Sequence, residues 1–196
     1  MNRTLVGFHG KLPNVGDFVQ RRLPVSFVDR WDAAMQAALA EASLVTGEAW
    51  RDVFLASPPW RFALASHVCG SLPWVGVLVP SHDRVGRVYP LVLAVSQPST
   101  ADGWPQLPAN AWFDTLAAAA ARTRDGMDVT MFDALVAMLP DPARSPPQSP
   151  LSTVPIRTRS LWWRGDQPAD GVALPGLPDA ADYLRLLGIE TDEEPA

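Results

Sequence analysis

The sequence has few of the residue types that build disulfides and metal sites. It contains one cysteine, Cys69, and three histidines, at positions 9, 67 and 82. A lone cysteine cannot form an intrachain disulfide, which fits a reducing compartment, and it is more often a buried small hydrophobe than a nucleophile. No two histidines stand two or four residues apart and no CxxC motif occurs, so we expect neither a bound metal nor another cofactor.

Long apolar runs and clusters of positive charge are lacking as well. No apolar run is long enough to span a bilayer, and residues 1–9 have neither the apolar region nor the cleavage site of a signal peptide. The formal net charge is −5, and the sequence has no stripe of basic residues. Nucleic acid and anionic membranes are therefore disfavoured as partners. Together these features predict a cytoplasmic protein without membrane insertion.

The sequence is rich in apolar residues, proline and tryptophan. Hydrophobic residues make up 47% of the 196 positions, which is enough for a substantial core in one domain. The eight tryptophans are spread along the chain, so we interpret them mainly as core residues. The 20 prolines cluster between predicted elements. We predict a core over 1–139, a Pro-rich connector over 140–155, and a strand–helix extension over 156–196 that packs on the same domain.

Two Val-rich runs, 74–80 and 88–95, flank a short polar loop. Because each run is apolar at successive positions, both strands should be covered on both faces. The loop is too short for a helical crossover, which favours an antiparallel pair. Pro90 cannot donate to a ladder and indicates an edge, a bulge or a strand start. Further strands are predicted at 4–9, 60–64 and 159–164.

The periodicity of apolar residues predicts five helices, at 26–42, 48–56, 111–122, 128–139 and 179–187. The first has Trp31 at the middle of an apolar stripe, and Ser26 and Asp29 suggest a capping box at its start. The predicted fold class is α/β, with a single mixed, largely antiparallel sheet flanked by helices on both faces. The alternative is an α+β domain with helices on one face only.

Two local patterns suggest catalysis, and both are weak. Gly10-Lys11 lacks the upstream glycine and the following Ser or Thr of a phosphate-binding loop, so we favour a structural turn with Lys11 in solvent. Ser81-His82-Asp83 contains the three residue types of a hydrolase triad, but adjacent side chains on a loop usually diverge. A small hydrolase that uses this loop remains the alternative to a non-enzymatic protein.

Three motifs resemble the TagF (ImpM) family of type VI secretion accessory proteins, in matching order and spacing. They are Gly10-Lys-Leu-Pro-Asn-Val-Gly-Asp-Phe-Val19, Trp60-Arg-Phe62 and Pro80-Ser-His-Asp-Arg-Val-Gly-Arg-Val-Tyr-Pro-Leu91. The resemblance makes their characteristic residues the candidate interaction site: Gly10, Lys11, Pro13, Gly16, Asp17, Phe18, Trp60, Arg61, Pro80, Ser81, Asp83, Arg84, Gly86, Arg87 and Pro90.

The resemblance implies a non-enzymatic regulator of a bacterial type VI secretion system. Members of the family act after translation as repressors, by binding a forkhead-associated-domain scaffold in a threonine-phosphorylation pathway. Some members are fused to the phosphatase of that pathway, and this chain lacks the length for such a fusion. Other secretion-system components are further possible partners, and a homodimer is possible.

The loop residues Asp83, Arg84 and Arg87 allow two interpretations. In the first, Asp83 caps the turn or pairs with an arginine, and Gly86 supplies a positive φ. In the second, the arginines form a recognition edge that grips a carboxylate or phosphate. Arg61 and Lys11 would join this edge only if the first and middle strands were neighbours.

Overall fold

The computed structural model describes residues 5–144 and 157–189. Most of the predicted connector and residue 4 of the first predicted strand lie outside them. Seven strands are described: β1 (Gly7–Gly10), β2 (Val19–Arg21), β3 (Trp60–Leu64), β4 (Trp74–Val79), β5 (Leu91–Ser96), β6 (Ser160–Trp163) and β7 (Val172–Leu174). The α-helices are α1 (Val25–Thr46), α2 (Trp50–Ala56), α3 (Asn110–Ala121), α4 (Val129–Ala137) and α5 (Ala180–Leu187). Short 3-10 turns cover Gly47–Ala49, Arg122–Asp125, Pro142–Arg144 and Pro168–Asp170.

The strands form one sheet in the order β2-β1-β5-β4-β3-β6-β7. Every pairing among the described strands is antiparallel. The Val-rich runs are β4 and β5, which pair along their whole lengths near the middle of the sheet. Pro90 directly precedes β5, so its interpretation as a strand start is correct. The predicted single, largely antiparallel sheet is confirmed.

Each face of the sheet carries its own apolar core. On one face α1, α2 and α5 pack over residues such as Phe62, and on the other α3 and α4 pack over residues such as Val77. Successive strand residues point to opposite faces, so the fully buried Trp162 and Trp163 enter different cores. Helices on both faces are thus confirmed, and the alternative with helices on one face is wrong.

The predicted helices are observed with shifted ends, and one capping prediction is wrong. Helix α1 begins at Val25 after Pro24, which makes no side-chain capping hydrogen bond. Ser26 therefore lies inside the helix and cannot form the predicted capping box with Asp29. At α5 a capping box does form, because the Asp179 side chain accepts a hydrogen bond from the backbone N–H of Asp182 and the Asp182 side chain accepts one from the backbone N–H of Asp179.

The sheet brings the two longest motifs to the same end. Gly10 ends β1 and the pairing of His9 with Val92 places it beside the first residue of β5, while Val79 ends β4 opposite Leu91. The loops 11–18 and 80–90 therefore leave the sheet side by side, although they are far apart in the sequence.

Candidate functional site

The loops 11–18 and 80–90, together with Gly10, form a connected surface that we call the motif edge. The Ser81 hydroxyl donates to the Lys11 carbonyl at 2.8 Å, and the Arg84 N–H donates to the Val15 carbonyl at 2.9 Å. The Arg87 guanidinium donates to the Gly16 carbonyl at 2.8 Å. These hydrogen bonds fix one loop against the other.

Asp83 is the centre of the motif edge and is fully buried. Its carboxylate accepts hydrogen bonds from the backbone N–H groups of Val85 (3.1 Å) and Arg87 (2.9 Å) and from Arg87 Nε (2.7 Å). Lys11 Nζ lies 3.0 Å from the same carboxylate. Burial by itself raises the pKa of the Asp83 carboxyl, but these hydrogen bonds and the Lys11 charge outweigh it and hold the pKa well below its usual range.

Lys11 is the only lysine of the sequence, and its environment differs from the prediction. Only 6% of it is exposed, so the expected solvent-exposed position is wrong. Besides its ion pair with Asp83, the ammonium lies 5.2 Å from the centre of the Phe18 ring, a cation–π distance. The carboxylate on the other loop explains this burial, because a buried ammonium needs a counter-charge.

Two glycines of the motif edge have backbone conformations that side chains disfavour. Gly86 has φ +87° and closes the turn through its N–H, which donates to the Asp83 carbonyl at 2.9 Å. The positive φ predicted there is confirmed. Gly10 has φ +138°, and a Cβ at this position would overlap the Pro90 carbonyl. Both motifs thus require glycine where the two loops meet or turn.

A partly buried polar cluster that includes residues of the motif edge was not predicted. His9 Nε2 lies 2.8 Å from Asp32 Oδ1, and the Tyr89 hydroxyl donates to the same oxygen. The Phe18 ring stacks on His9 and meets Tyr89 edge-on. Burial by itself raises the pKa of the Asp32 carboxyl. The hydrogen bonds from His9 and Tyr89 lower this pKa by more than burial raises it, so the net shift is downward. The cluster joins α1 to β1 and the 80–90 loop.

The outer surface of the motif edge combines an exposed guanidinium with exposed apolar side chains. Arg84 is exposed, and among the described residues no carboxylate pairs with it. Val85 is 68% exposed and Phe18 is 43% exposed. Arg87 is different, because its guanidinium already serves Asp83 and Gly16. A grip by both arginines would therefore have to break contacts within the edge.

Some of the remaining candidate residues belong to the motif edge, and the others lie elsewhere in the structure. Pro13 and Pro80 line a cavity beside it, and Asp17 accepts a hydrogen bond from the Phe18 N–H at 2.8 Å. Trp60 and Arg61 lie elsewhere, because β5 and β4 separate β1 from β3. The condition under which Arg61 would join Lys11 on one surface, that the first and middle strands are neighbours, is therefore not met.

Trp60 and Arg61 attach helices to the two faces of the sheet. Trp60 Nε1 donates to the Leu186 carbonyl of α5 at 3.1 Å. On the other face Arg61 pairs with Asp114 of α3 at 2.6 Å. Their contacts connect the sheet to its covering layers.

Ser81, His82 and Asp83 do not have triad geometry. Ser81 donates to the Lys11 carbonyl, and His82 Nδ1 lies 2.9 Å from the backbone carbonyl of Asp83 and not from its carboxylate. The hydrolase alternative thus has no base placed between a nucleophile and an acid. Cys69 is fully buried, and burial raises the pKa of its thiol to about 12, so it is no thiolate at neutral pH.

Metal-ligand types do not cluster in the described part of the chain. Across residues 5–144 and 157–189, no group of three or more His, Cys, Asp or Glu side chains is arranged to hold a metal ion. Nor does any helix within these two ranges combine the length and the apolar character needed to cross a membrane.

Comparisons with known proteins identify both a family and a solved structure that resemble this chain. A family model described as the TagF N-terminal domain, type VI secretion system-associated, matches residues 7–139. The crystal structure of PA0076 from Pseudomonas aeruginosa PAO1 is similar, with 32% sequence identity and a TM-score of 0.76 over 97% of each chain. A search of curated proteins found no significant match.

The match over 7–139 includes both loops of the motif edge and β1 to β5. The match thus defines the class of protein, one associated with the type VI secretion system. The chain belongs to the TagF N-terminal domain family of type VI secretion system-associated proteins.

Proposed function

We propose that this protein is a cytoplasmic, non-enzymatic regulator that represses type VI secretion after translation by binding a forkhead-associated-domain scaffold. Membership of the TagF family is the observation that carries the proposal. In the resemblance that the motifs define, such a scaffold is the partner of the accessory domain. Further secretion-system components and a second copy of the chain are additional partners in this proposal.

The outer surface of the motif edge is the proposed contact surface. Arg84, Val85 and Phe18 are exposed together on a loop pair that internal hydrogen bonds already hold in place. A preorganised loop loses little conformational entropy on binding. An unpaired guanidinium beside apolar side chains is also a composition enriched at the centres of protein interfaces.

The test separates binding from stability by reversing one charge. We expect Arg84→Glu to change the free energy of unfolding by less than about 0.5 kcal/mol, because the side chain is exposed. Its affinity for the scaffold should fall by about 2 kcal/mol or more, since removing one partner of an interface charge pair costs that much. The measurements are thermal melting of the purified variant and co-precipitation of the scaffold from secreting cells, with secretion scored in parallel.

Arg159→Glu is the matched control. Arg159 is exposed and has no ion pair among the described residues, but it precedes β6 at the opposite end of the sheet. This variant should bind the scaffold like the wild type. Wild-type binding by a folded Arg84→Glu variant would place the contact surface elsewhere. Equal losses of scaffold binding in both variants would mean that the change in net charge, and not a contact of Arg84, causes the loss.

A further inference from the structure

A cavity lies at the motif edge, which contributes Pro13, Pro80, Ser81 and His82 to its lining, and the proposed scaffold-contact residues Arg84, Val85 and Phe18 are not among the lining residues. It has a volume of about 200 Å³ and opens where β4 ends, between α2 and the 3-10 turn that follows α3. Its lining includes apolar side chains from three elements, Leu55, Val79 and Leu91, and the polar residues Ser81, His82 and Arg124. With about 30 Å³ per water, it has room for an anion and a short organic group.

Two of the lining residues have groups available to a ligand. His82 Nδ1 lies 2.9 Å from the Asp83 carbonyl, which can only accept, so Nδ1 carries a hydrogen and Nε2 is left for a ligand. Arg124 is exposed, and no described carboxylate pairs with it. Arg122, on the same 3-10 turn, is paired with Asp125 at 3.1 Å.

Two further arginines without a described ion pair belong to segments that contribute other residues to the cavity lining, α2 and the 80–90 loop. Arg51 lies one helical turn before Leu55 on α2, and its Nε donates to the Gly86 carbonyl at 3.3 Å. Neither Arg51 nor Arg84 has an ion pair within the two described ranges. Asp83, the nearest buried carboxylate, is already neutralised by Lys11 and Arg87.

This surplus of positive charge runs against the composition of the chain. The sequence has a net charge of −5, yet the segments that line the cavity carry three arginines, Arg51, Arg84 and Arg124, that have no ion pair with a described carboxylate. Arginine binds phosphate through two parallel hydrogen bonds, and a histidine nitrogen can add a third donor when it takes up a proton. Several donors suit a dianion better than a singly charged carboxylate, which one arginine already satisfies.

We propose that this cavity binds a phosphomonoester dianion. Arg124 and His82 hold the phosphate at the rim, the apolar wall contacts the attached organic group, and Arg51 and Arg84 attract the anion from outside. The phosphate belongs either to a free metabolite or to a phosphorylated side chain, and both present the same group to the rim.

The test is an NMR titration of the full-length protein with inorganic phosphate and with phenyl phosphate, against sodium chloride at equal ionic strength. With only three histidines in the sequence, the ring resonances are resolvable, and His82→Gln assigns one by its disappearance. We expect the His82 resonance to shift and saturate in the millimolar range, with phenyl phosphate binding more tightly. The exposed ring of His67 should not move.

The matched pair is Arg124→Gln and Arg122→Gln, two exposed arginines on one 3-10 turn. Arg124→Gln should weaken phosphate binding by at least about tenfold, and Arg122→Gln by less than about twofold. If a phosphoserine peptide binds more tightly than phenyl phosphate, the phosphate that the cavity binds comes from a phosphorylated protein chain. If the peptide binds more weakly than phenyl phosphate, a free metabolite is favoured as the source.

The proposal is overturned if phosphate causes no saturable shift of the His82 resonance beyond that of chloride. Equal weakening by the two arginine variants would also overturn it, because the effect would then be one of net charge. Since the titration uses the purified protein alone, its outcome does not depend on whether the scaffold contact is correct.

Discussion

In the loop after β4, the Asp83 carboxylate accepts hydrogen bonds from backbone N–H groups. Within the sheet, the carbonyl groups of a neighbouring strand do this. Asp83 accepts from two backbone N–H groups of its own loop and binds two cationic side chains. One of these cations, Lys11, is itself buried. Neither charge would be stable there alone, because a buried ion without its partner keeps the full cost of desolvation.

Asp83→Asn should therefore be strongly destabilising. The amide can still accept from the backbone, but it leaves Lys11 buried without a counter-charge, so we expect a loss of about 3–5 kcal/mol in the free energy of unfolding. Chemical denaturation measures it. Asp17→Asn is the control, since Asp17 lies exposed on the neighbouring loop, and it should cost less than about 1 kcal/mol. Similar losses in both variants would contradict a special role for Asp83.

We also predict that the difference in unfolding free energy between the wild type and Asp83→Asn depends on pH. The folded pKa of Asp83 is lowered, so its contribution to stability is present above the unfolded pKa of about 3.9 and is lost as the pH falls through the folded pKa. The difference in unfolding free energy between wild type and Asp83→Asn should stay constant from about pH 7 to pH 5 and shrink below about pH 4. A difference that already shrinks above about pH 5 would contradict the lowered pKa.

Whether the sequence predicts a contact between two residues depends on how far apart they are along the chain. The turn around Asp83 and the positive φ of Gly86 follow from residues within one loop. The pairing of Lys11 with Asp83 and the cluster of His9, Asp32 and Tyr89 join separate segments, since Asp32 is 23 positions after His9 and Tyr89 is 57 positions after Asp32. No local spacing marks such pairs, so only the fold reveals them.

Among the elements, helix α1 follows most directly from its sequence. Its apolar stripe covers the middle of one sheet face, and Trp31 is fully buried against Phe27, Phe62 and Trp162. Strands β2 and β7 have three residues each, which is too short for an alternating pattern to be recognised. They form because neighbouring strands present unpaired edges, which is a tertiary cause.

Trp31→Ala should destabilise the protein by about 3–5 kcal/mol, as truncation of a buried aromatic side chain does. Leu44→Ala in the same helix is the control, because Leu44 is 83% exposed and should change the free energy of unfolding by less than about 0.5 kcal/mol. Denaturant titration followed by circular dichroism measures both. A loss below about 1 kcal/mol for Trp31→Ala would mean that the stripe does not face the core.

At the scale of the whole molecule, the sheet connects parts of the chain that the sequence keeps separate. Strand β6 comes after α4 and the predicted connector, yet it pairs with β3, and α5 packs on α1. The sequence predicts one largely antiparallel sheet, since buried strands and short links require it. It does not predict this order of strands, because pairing between distant segments depends on the packing of the whole chain.

Both cores should unfold together, because β6 contributes one fully buried tryptophan to each. We expect Trp162→Ala and Trp163→Ala each to cost about 3–5 kcal/mol and each to keep a single transition, with tertiary and secondary structure lost at the same denaturant concentration. Near- and far-ultraviolet circular dichroism measure this, with Met138→Ala as an exposed control. If either tryptophan variant unfolded in two steps, or lost one core while the other stayed intact, residues 157–189 would be a separate unit attached to the family domain.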